Sequence, residues 1–169
     1  MKRTLGVCYY PEHWPKSFWK EDARRMAEVG LFWVRIGEFA WSKIEPSSGV
    51  LQFEWLDEAI EILVSHGLSV VLGTPTATPP KWVLEKHPDM LAIDKEGRPR
   101  KFGSRRHYCF SHQGYREECL RIVTLMAERY GANPYVRAWQ TDNEYSCHDT
   151  THSYSDSART AFKSWLRVQ

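Results

Sequence analysis

The sequence predicts an α/β protein whose strands form a parallel sheet. Short runs rich in β-branched and aromatic residues occur four times, and segments with helical periodicity lie between them. This alternation of strands and helices is typical of parallel sheets with helical crossovers. No low-complexity tract, Gly/Ser linker or block of like charges interrupts the 169 residues, which indicates one domain or part of one.

The predicted strands and helices follow one another in a regular order. The strands cover residues 5–10, 33–38, 69–74 and 136–141. The apolar helix faces consist of Trp19, Ala23, Met26 and Ala27; Leu56, Ala59, Ile60 and Leu63; Tyr115, Cys119, Ile122, Val123, Met126 and Tyr130; and Ala158, Ala161, Phe162, Trp165 and Leu166. Ser17 is the predicted N-cap of the first helix, and Gly30, Gly67 and Gly131 mark the ends of the first three.

Two architectures fit this order, a doubly wound sheet and a (β/α)₈ barrel. The first strand leads into Tyr-Pro-Glu-His-Trp at residues 10–14 rather than into a glycine-rich phosphate turn, which weakens the nucleotide-binding option. A complete barrel takes about 250 residues, whereas this chain has four strand–helix repeats. The predicted fold is therefore the N-terminal half of a (β/α)₈ barrel over residues 1–169, with a self-contained four-stranded α/β domain as the alternative.

Composition excludes several classes of function. The 23 basic and 21 acidic residues nearly balance, so charge offers no case for nucleic acid or an anionic membrane as a partner. No apolar run approaches the roughly 20 residues of a membrane span, and no secretion signal is visible, so a cytoplasmic location is expected. Aromatic residues make up 14 %, which suits a large core or a cleft that stacks on flat ligand faces.

The segment from residue 75 to about 113 is predicted to be a long irregular loop. It follows the third strand at its carboxyl end, the edge where barrel enzymes place their chemistry. Arg, His, Tyr and Trp are concentrated in it, although a loop of this length can also be without function. The loop is therefore a candidate part of a functional site.

The end of the fourth strand carries a candidate catalytic acid, Glu144. Glycoside hydrolysis needs a carboxyl group that is protonated near neutral pH, and partial desolvation raises the pKa of such a group. Asn143 and Tyr145 flank Glu144, and the amide of Asn143 is suited to bind a sugar hydroxyl. For an Asn-Glu pair alone, a solvated acid in a loop is the more common interpretation.

Two further clusters have both functional and structural interpretations. Glu38 and Trp41, after the second strand, suit a polyhydroxylated ligand, but Arg35 and Glu38 equally suit an ion pair inside a barrel. The cysteines and histidines of residues 107–112 and 147–152 lack the spacing of an established zinc motif. Buried thiols and surface imidazoles are the safer interpretation, and no cofactor or metal is predicted.

Four segments together resemble the N-terminal part of the catalytic domain of glycoside hydrolase family 42 β-galactosidases. They are Gly-Val-Cys-Tyr-Tyr-Pro-Glu-His-Trp at 6–14, Val-Arg-Ile-Gly-Glu-Phe-Ala-Trp-Ser at 34–42, Phe-Gly-Ser-Arg-Arg-His-Tyr-Cys at 102–109 and Gln-Thr-Asp-Asn-Glu-Tyr at 140–145. They occur in the family's order and extend over essentially the whole chain, so the resemblance is specific.

The resemblance implies a (β/α)₈ barrel that hydrolyses terminal β-D-galactosides with retention of configuration. In that mechanism Glu144 is the acid/base, and Asn143 and Arg105 bind the sugar. The family's nucleophilic glutamate follows a seventh strand, which is expected to be missing from this fragment, so the isolated chain is expected to lack turnover. Trp41 and Trp82 are candidates for the pocket wall, and the full-length parent is expected to be a homo-oligomer, in the family a trimer.

One departure from the family concerns a structural zinc that some members hold. Cys109 matches the first zinc ligand, but Ser153, Ser155 and Ala158 stand where the other three cysteines would be. Neutral hydroxyls and a methyl group do not replace thiolates around zinc. The resemblance therefore predicts a chain without this metal. A related barrel glycosidase with another sugar specificity and a carbohydrate-binding remnant are the alternative functions.

Overall fold

The computed structural model describes residues 4–103, 106–145 and 152–169. Within these ranges the strands are β1 (Leu5–Cys8), β2 (Leu31–Ile36), β3 (Ser69–Gly73) and β4 (Val136–Gln140). The α-helices there are α1 (Lys16–Glu28), α2 (Trp41–Ile44), α3 (Glu54–Ser65), α4 (Lys81–Lys86), α5 (Gln113–Tyr130) and α6 (Asp156–Leu166). None of these helices combines the length and the apolar composition that crossing a bilayer requires.

The four strands form one parallel sheet in the order β1-β2-β3-β4. Each strand therefore pairs with the next one along the chain, and the sheet winds in one direction without reversing. A doubly wound sheet reverses its strand order at a switch point, whereas a barrel does not. The observed order confirms the prediction of a barrel half, and it brings the carboxyl ends of all four strands to one edge.

The core lies between the sheet and the helices that cover it. In β2, Val34 and Ile36 are fully buried while Trp33 and Arg35, on the opposite face, are partly exposed. Across the core the helices contribute buried side chains that include Leu56, Leu63, Ile122 and Met126. Full burial of such a side chain contributes about 1.5–3 kcal/mol. The apolar faces predicted for the first three helices are therefore the faces that pack against the sheet.

The ends of the first helices follow the sequence signals except at one position. Gly30 and Gly67 have φ values of 83° and 80°, the left-handed conformation that ends a helix at low cost in glycine. The prediction of Ser17 as the N-cap of α1 was wrong. Pro15 occupies that position, where the ring restricts φ, and Ser17 lies inside the first turn.

The segment after β3 is more ordered than the sequence indicated. It contains α4, whose six residues are too few to produce a clear periodic pattern. Two isolated antiparallel bridges, Leu91 with Tyr108 and Ile93 with Pro99, fold the remainder back on itself. The segment returns to the sheet edge at Arg106, which is almost completely buried.

Candidate active site

The carboxyl ends of the four strands surround a pocket of about 200 Å³. Its lining residues come from the segment after each strand, and they are His13, Phe39, Ala77, Thr78, Arg106, Asn143 and Glu144. Glu144 and Asn143, which the sequence singled out, lie together in this lining. The other predicted sugar-binding residue, Arg105, lies outside the described residues.

The turn that carries Glu144 has a strained backbone. Asp142 and Glu144 have φ values of 56° and 50°, which non-glycine residues adopt rarely and at a cost of about 1–3 kcal/mol. The buried Asp142 holds the turn through three hydrogen bonds. Its N–H donates to Thr74 Oγ1 at 2.7 Å, and its carboxylate accepts from Thr76 Oγ1 at 2.8 Å and from the N–H of Asn143 at 2.7 Å. The end of β3 thus fixes the position of the candidate acid.

A polar chain across the sheet orients Asn143. Arg35 pairs with the fully buried Glu38 at 2.7 Å and also donates to the side-chain oxygen of Gln140. The amide nitrogen of Gln140 donates to Asn143 Oδ1 at 3.2 Å and to the carbonyl of Asp142 at 2.8 Å. Because Asn143 Oδ1 accepts this bond, its NH₂ group is left to donate to a ligand. Of the two sequence interpretations of Arg35 and Glu38, the ion pair is the one observed.

The environment of Glu144 differs from the sequence expectation. Tyr145 was expected to help desolvate this carboxyl group, but Tyr145 is 60 % exposed and Glu144 is exposed as well. The Tyr145 ring instead contacts the ring of Phe110, with centroids 6.0 Å apart, and the guanidinium of Arg106. Among the described residues, Tyr145 therefore restrains the turn and does not cover the acid.

The two tryptophans proposed for the pocket wall belong to the core. Trp41 is fully buried and donates to Glu45 Oε2 at 3.1 Å, and Trp82 donates to the carbonyl of Glu45 at 3.0 Å. Their rings meet edge to face with centroids 6.4 Å apart. Their assignment to the pocket was wrong, because both indoles satisfy their N–H groups around the buried Glu45 rather than at the strand ends.

Sequence reasoning did not single out Asp142, Gln140 or Arg106. Each of them acts through contacts between residues far apart in the chain. The hydrogen bond from Asp142 to Thr74, for example, joins residues 68 positions apart. All three did lie inside motifs that carried the family resemblance. Membership of a motif was therefore the one signal in the sequence that pointed to them.

Two titratable residues that follow β1, Tyr10 and Glu12, have raised pKa values. Burial raises the pKa of Glu12, and its side-chain oxygens are inaccessible to solvent. Burial, followed by the charge of Glu38, raises the pKa of Tyr10. The deprotonated form of Glu12 is therefore less favourable in the folded protein than in the unfolded chain.

Replacing Glu12 with glutamine is expected to stabilise the protein at neutral pH but not in acid. Because the pKa of Glu12 is higher in the folded protein, the free energy of unfolding decreases as the pH rises above about 4.3, the pKa of a glutamate in the unfolded chain. Glutamine does not ionise and does not incur this cost. Thermal unfolding at pH 4 and pH 7.5 checks this, with the exposed Glu61→Gln as control. A shift in the unfolding midpoint that is equal at both pH values would contradict it.

The residues at the resembled zinc site form a hydrogen-bonded cluster instead of a metal site. Ser155 Oγ donates to the buried Cys109 Sγ at 3.2 Å and accepts from Ser153 Oγ at 3.1 Å. Ser155 also caps α6 by accepting from the N–H of Ala158 at 3.3 Å. Two of the three positions of the absent cysteines, Ser153 and Ser155, therefore lie in one hydrogen-bonded cluster with Cys109, and both carry hydroxyls. One cysteine sulfur and two neutral hydroxyls do not fit zinc.

Two of the other candidate ligands, His107 and His112, make contacts that are unrelated to a metal site. His112 caps α5 by accepting from the N–H of Tyr115 at 3.0 Å, and His107 packs against aromatic rings. Cys119 lies outside the two clusters of candidate ligands, and burial raises the pKa of its thiol to about 12, which keeps it protonated. Cys147 lies outside the described residues. Within residues 4–103, 106–145 and 152–169, no three His, Cys, Asp or Glu side chains are grouped as metal ligands.

Treatment with a chelator is expected to leave the thermal unfolding midpoint unchanged, since hydrogen bonds hold the Cys109 cluster. The variant Ser153→Cys/Ser155→Cys/Ala158→Cys is expected to bind one Zn²⁺ and to become sensitive to the chelator. Metal analysis and the absorbance of the Co²⁺-substituted variant check this. A chelator-dependent loss of stability in the unsubstituted protein would contradict it.

Comparison with known proteins agrees with this geometry. The family described as β-galactosidase, glycoside hydrolase family 42, matches residues 8–169. The chain belongs to this family. It is 62 % identical over 165 residues to the β-galactosidase of Thermus thermophilus, a match that covers 98 % of this chain and 26 % of that protein. The chain thus spans about a quarter of the length of the curated relatives it matches.

Solved structures of family 42 enzymes share the fold. The β-galactosidase of the psychrophilic Marinomonas ef1 superposes with a TM-score of 0.95 at 63 % identity, over 97 % of this chain and 25 % of that one. The enzyme of Bacillus circulans sp. alkalophilus superposes with a TM-score of 0.91 at 34 % identity, over 98 % of this chain and 24 % of that one. The four-stranded parallel sheet is the N-terminal half of a (β/α)₈ barrel.

Proposed function

We propose that this chain forms the first four βα units of the catalytic barrel of a retaining β-galactosidase, with Glu144 as the acid/base. The observation that carries the proposal is the position of Glu144 and Asn143 on a strained turn at the end of β4. There they face a pocket whose other walls come from the ends of β1, β2 and β3. The β-galactosidase names of the family 42 relatives support galactose as the sugar.

In this mechanism Glu144 first donates a proton to the glycosidic oxygen, while a second carboxylate attacks the anomeric carbon from the opposite side. Glu144 then takes a proton from the water that releases galactose. The two carboxyl groups of a retaining enzyme lie about 5–5.5 Å apart. Asn143, held by Gln140, and Arg105 orient the sugar. The nucleophilic carboxylate is proposed to come from the seventh strand of the complete barrel.

The substrates proposed are terminal, non-reducing β-D-galactosides. A homotrimeric full-length enzyme in the cytoplasm also remains a prediction, and size-exclusion chromatography with light scattering of the full-length protein tests its assembly. No cofactor takes part in the proposed reaction, because two carboxyl groups supply both the proton and the nucleophile.

A chimera tests the function directly. This chain replaces the corresponding segment of the Thermus thermophilus β-galactosidase, to which it is 62 % identical, so the remaining barrel strands are supplied. We expect hydrolysis of nitrophenyl β-D-galactoside, slower hydrolysis of the matching β-glucoside and β-mannoside, and β-galactose as the product first seen by ¹H NMR.

Other outcomes overturn parts of the proposal. Preference for the glucoside or mannoside would replace galactose with another sugar. First release of the α-anomer would exclude the retaining mechanism. A folded chimera that binds galactose without hydrolysing galactosides would indicate a carbohydrate-binding role for this chain.

A further inference from the structure

Arg106 is a buried cation at the edge of the candidate active site. It is 2 % exposed, has a φ of 53° and follows the long segment after β3. Its Nη2 atom lies 3.2 Å from Asp142 Oδ1. Neither Nη atom makes a hydrogen bond of good geometry with the part of the chain that the structure describes. Burial of a guanidinium is costly unless it is paired, so the carboxylate of Asp142 is essential to its position.

Arg106 contacts the catalytic turn on both sides of Glu144. On one side it pairs with Asp142, which binds the N–H of Asn143. On the other side its guanidinium lies 5.5 Å from the ring centroid of Tyr145, and the Phe110 ring lies 5.6 Å from the same group. A planar guanidinium can pair with a carboxylate and stack on rings at the same time, which an ammonium group does less well.

The turn depends on such contacts because its backbone is strained. Both Asp142 and Glu144 have positive φ, so the turn would relax to another conformation without restraints from outside. Thr74 and Thr76 restrain Asp142 alone, whereas Arg106 restrains residues on both sides of Glu144. An acid that protonates a leaving group must also be held at a defined angle and distance from it.

We propose that Arg106 is a positioning residue that holds Glu144 at the orientation needed to protonate the leaving group. The proposal rests on the proposed function of Glu144. It makes a specific demand on the galactosylation step, because a displaced acid slows this step for substrates with poor leaving groups and hardly affects it for substrates that need no protonation. The second step, in which Glu144 acts as the base, is common to both kinds of substrate.

The test compares Arg106→Lys with the parent chimera on lactose and on 2,4-dinitrophenyl β-D-galactoside. We expect kcat/KM on lactose, which reports the galactosylation step, to fall about 100-fold, as for a misplaced catalytic group. We expect kcat/KM on the dinitrophenyl substrate to stay within about 3-fold of the parent, because galactosylation by this substrate needs no proton. The matched control is Arg121→Lys, since Arg121 pairs with buried Glu45 at 2.7 Å and with Glu118 at 2.9 Å but does not line the pocket. It is expected to lower stability and to leave the ratio of the two rates unchanged.

A second variant keeps the test decisive if Arg106→Lys fails to fold. Asp142→Asn removes the charge of the partner with little change in shape, and it is expected to produce the same selective loss on lactose. Equal losses of kcat/KM on both substrates would overturn the positioning role. An inactive parent chimera would instead overturn the proposed function, so the two failures are distinguishable.

Discussion

Alanine at position 144 is expected to reduce kcat on lactose by about 10²–10⁴-fold, the usual contribution of general acid–base catalysis. Lactose has a sugar hydroxyl as its leaving group, which departs only when protonated. In the chimera, the first chemical step on 2,4-dinitrophenyl β-D-galactoside is expected to proceed at nearly the parent rate, because dinitrophenolate leaves without a proton. Steady-state and pre-steady-state kinetics on the two substrates measure the difference.

Two comparisons make the Glu144→Ala result specific. Glu61→Ala removes an exposed carboxyl group from α3 and is expected to leave both rates unchanged. Equal thermal unfolding midpoints for Glu144→Ala and the parent exclude misfolding. A normal rate on lactose would show that another group supplies the proton, and Glu144 would then be at most a ligand for the sugar.

Gly73→Ala is expected to have a large effect although position 73 does not line the pocket. A β-carbon at position 73 would lie 2.6 Å from Glu38 Cβ and 2.8 Å from Glu38 Cα, so backbone has to move. Overpacking of this kind costs about 1–3 kcal/mol. Glu38 pairs with Arg35, and Arg35 donates a hydrogen bond to Gln140. A shift of Glu38 is therefore also expected to displace Gln140, which orients Asn143.

Activity and stability of Gly73→Ala are therefore expected to fall together. Urea denaturation followed by circular dichroism measures the stability, and KM for nitrophenyl β-D-galactoside is expected to rise as Asn143 loses its orientation. Gly97→Ala is the control, since position 97 has open space around it but a φ of 80°. It introduces backbone strain far from Glu38, and activity is expected to be unaffected. Parent-like stability and KM in Gly73→Ala would contradict this account of the β2–β3 contact.

Local patterns in the sequence were sufficient to predict most of the fold. The apolar faces of the first three helices and the four strand runs each depend on residues close together in the chain, and the structure places them around one sheet. The predicted start of α1 was wrong because serine is a common N-cap residue, which favoured Ser17. In the structure Pro15 is the N-cap residue, and its restricted backbone conformation sets the start of the helix. The short α4 lacks a periodic signal.

The candidate site was predictable only in part. Glu144 and Asn143 stand out because an Asn-Glu pair follows a strand, and family 42 motifs surround them. The contact of Arg106 with Asp142 and the chain from Glu38 to Asn143 join residues on different strands or loops, and the sequence contains no local pattern for them. The tryptophans at 41 and 82 were misassigned because an aromatic residue near a strand end fits a core as well as a pocket.

Chemical rescue by azide tests the role of Glu144 most directly. With Glu144→Ala in the chimera and dinitrophenyl β-D-galactoside as substrate, a retaining enzyme still forms its galactosyl intermediate but lacks the base that activates water. Azide needs no base, so it is expected to restore turnover and to yield β-galactosyl azide, identified by ¹H NMR. Formation of the α-azide, or no acceleration by azide, would contradict the assignment of Glu144 as the acid/base.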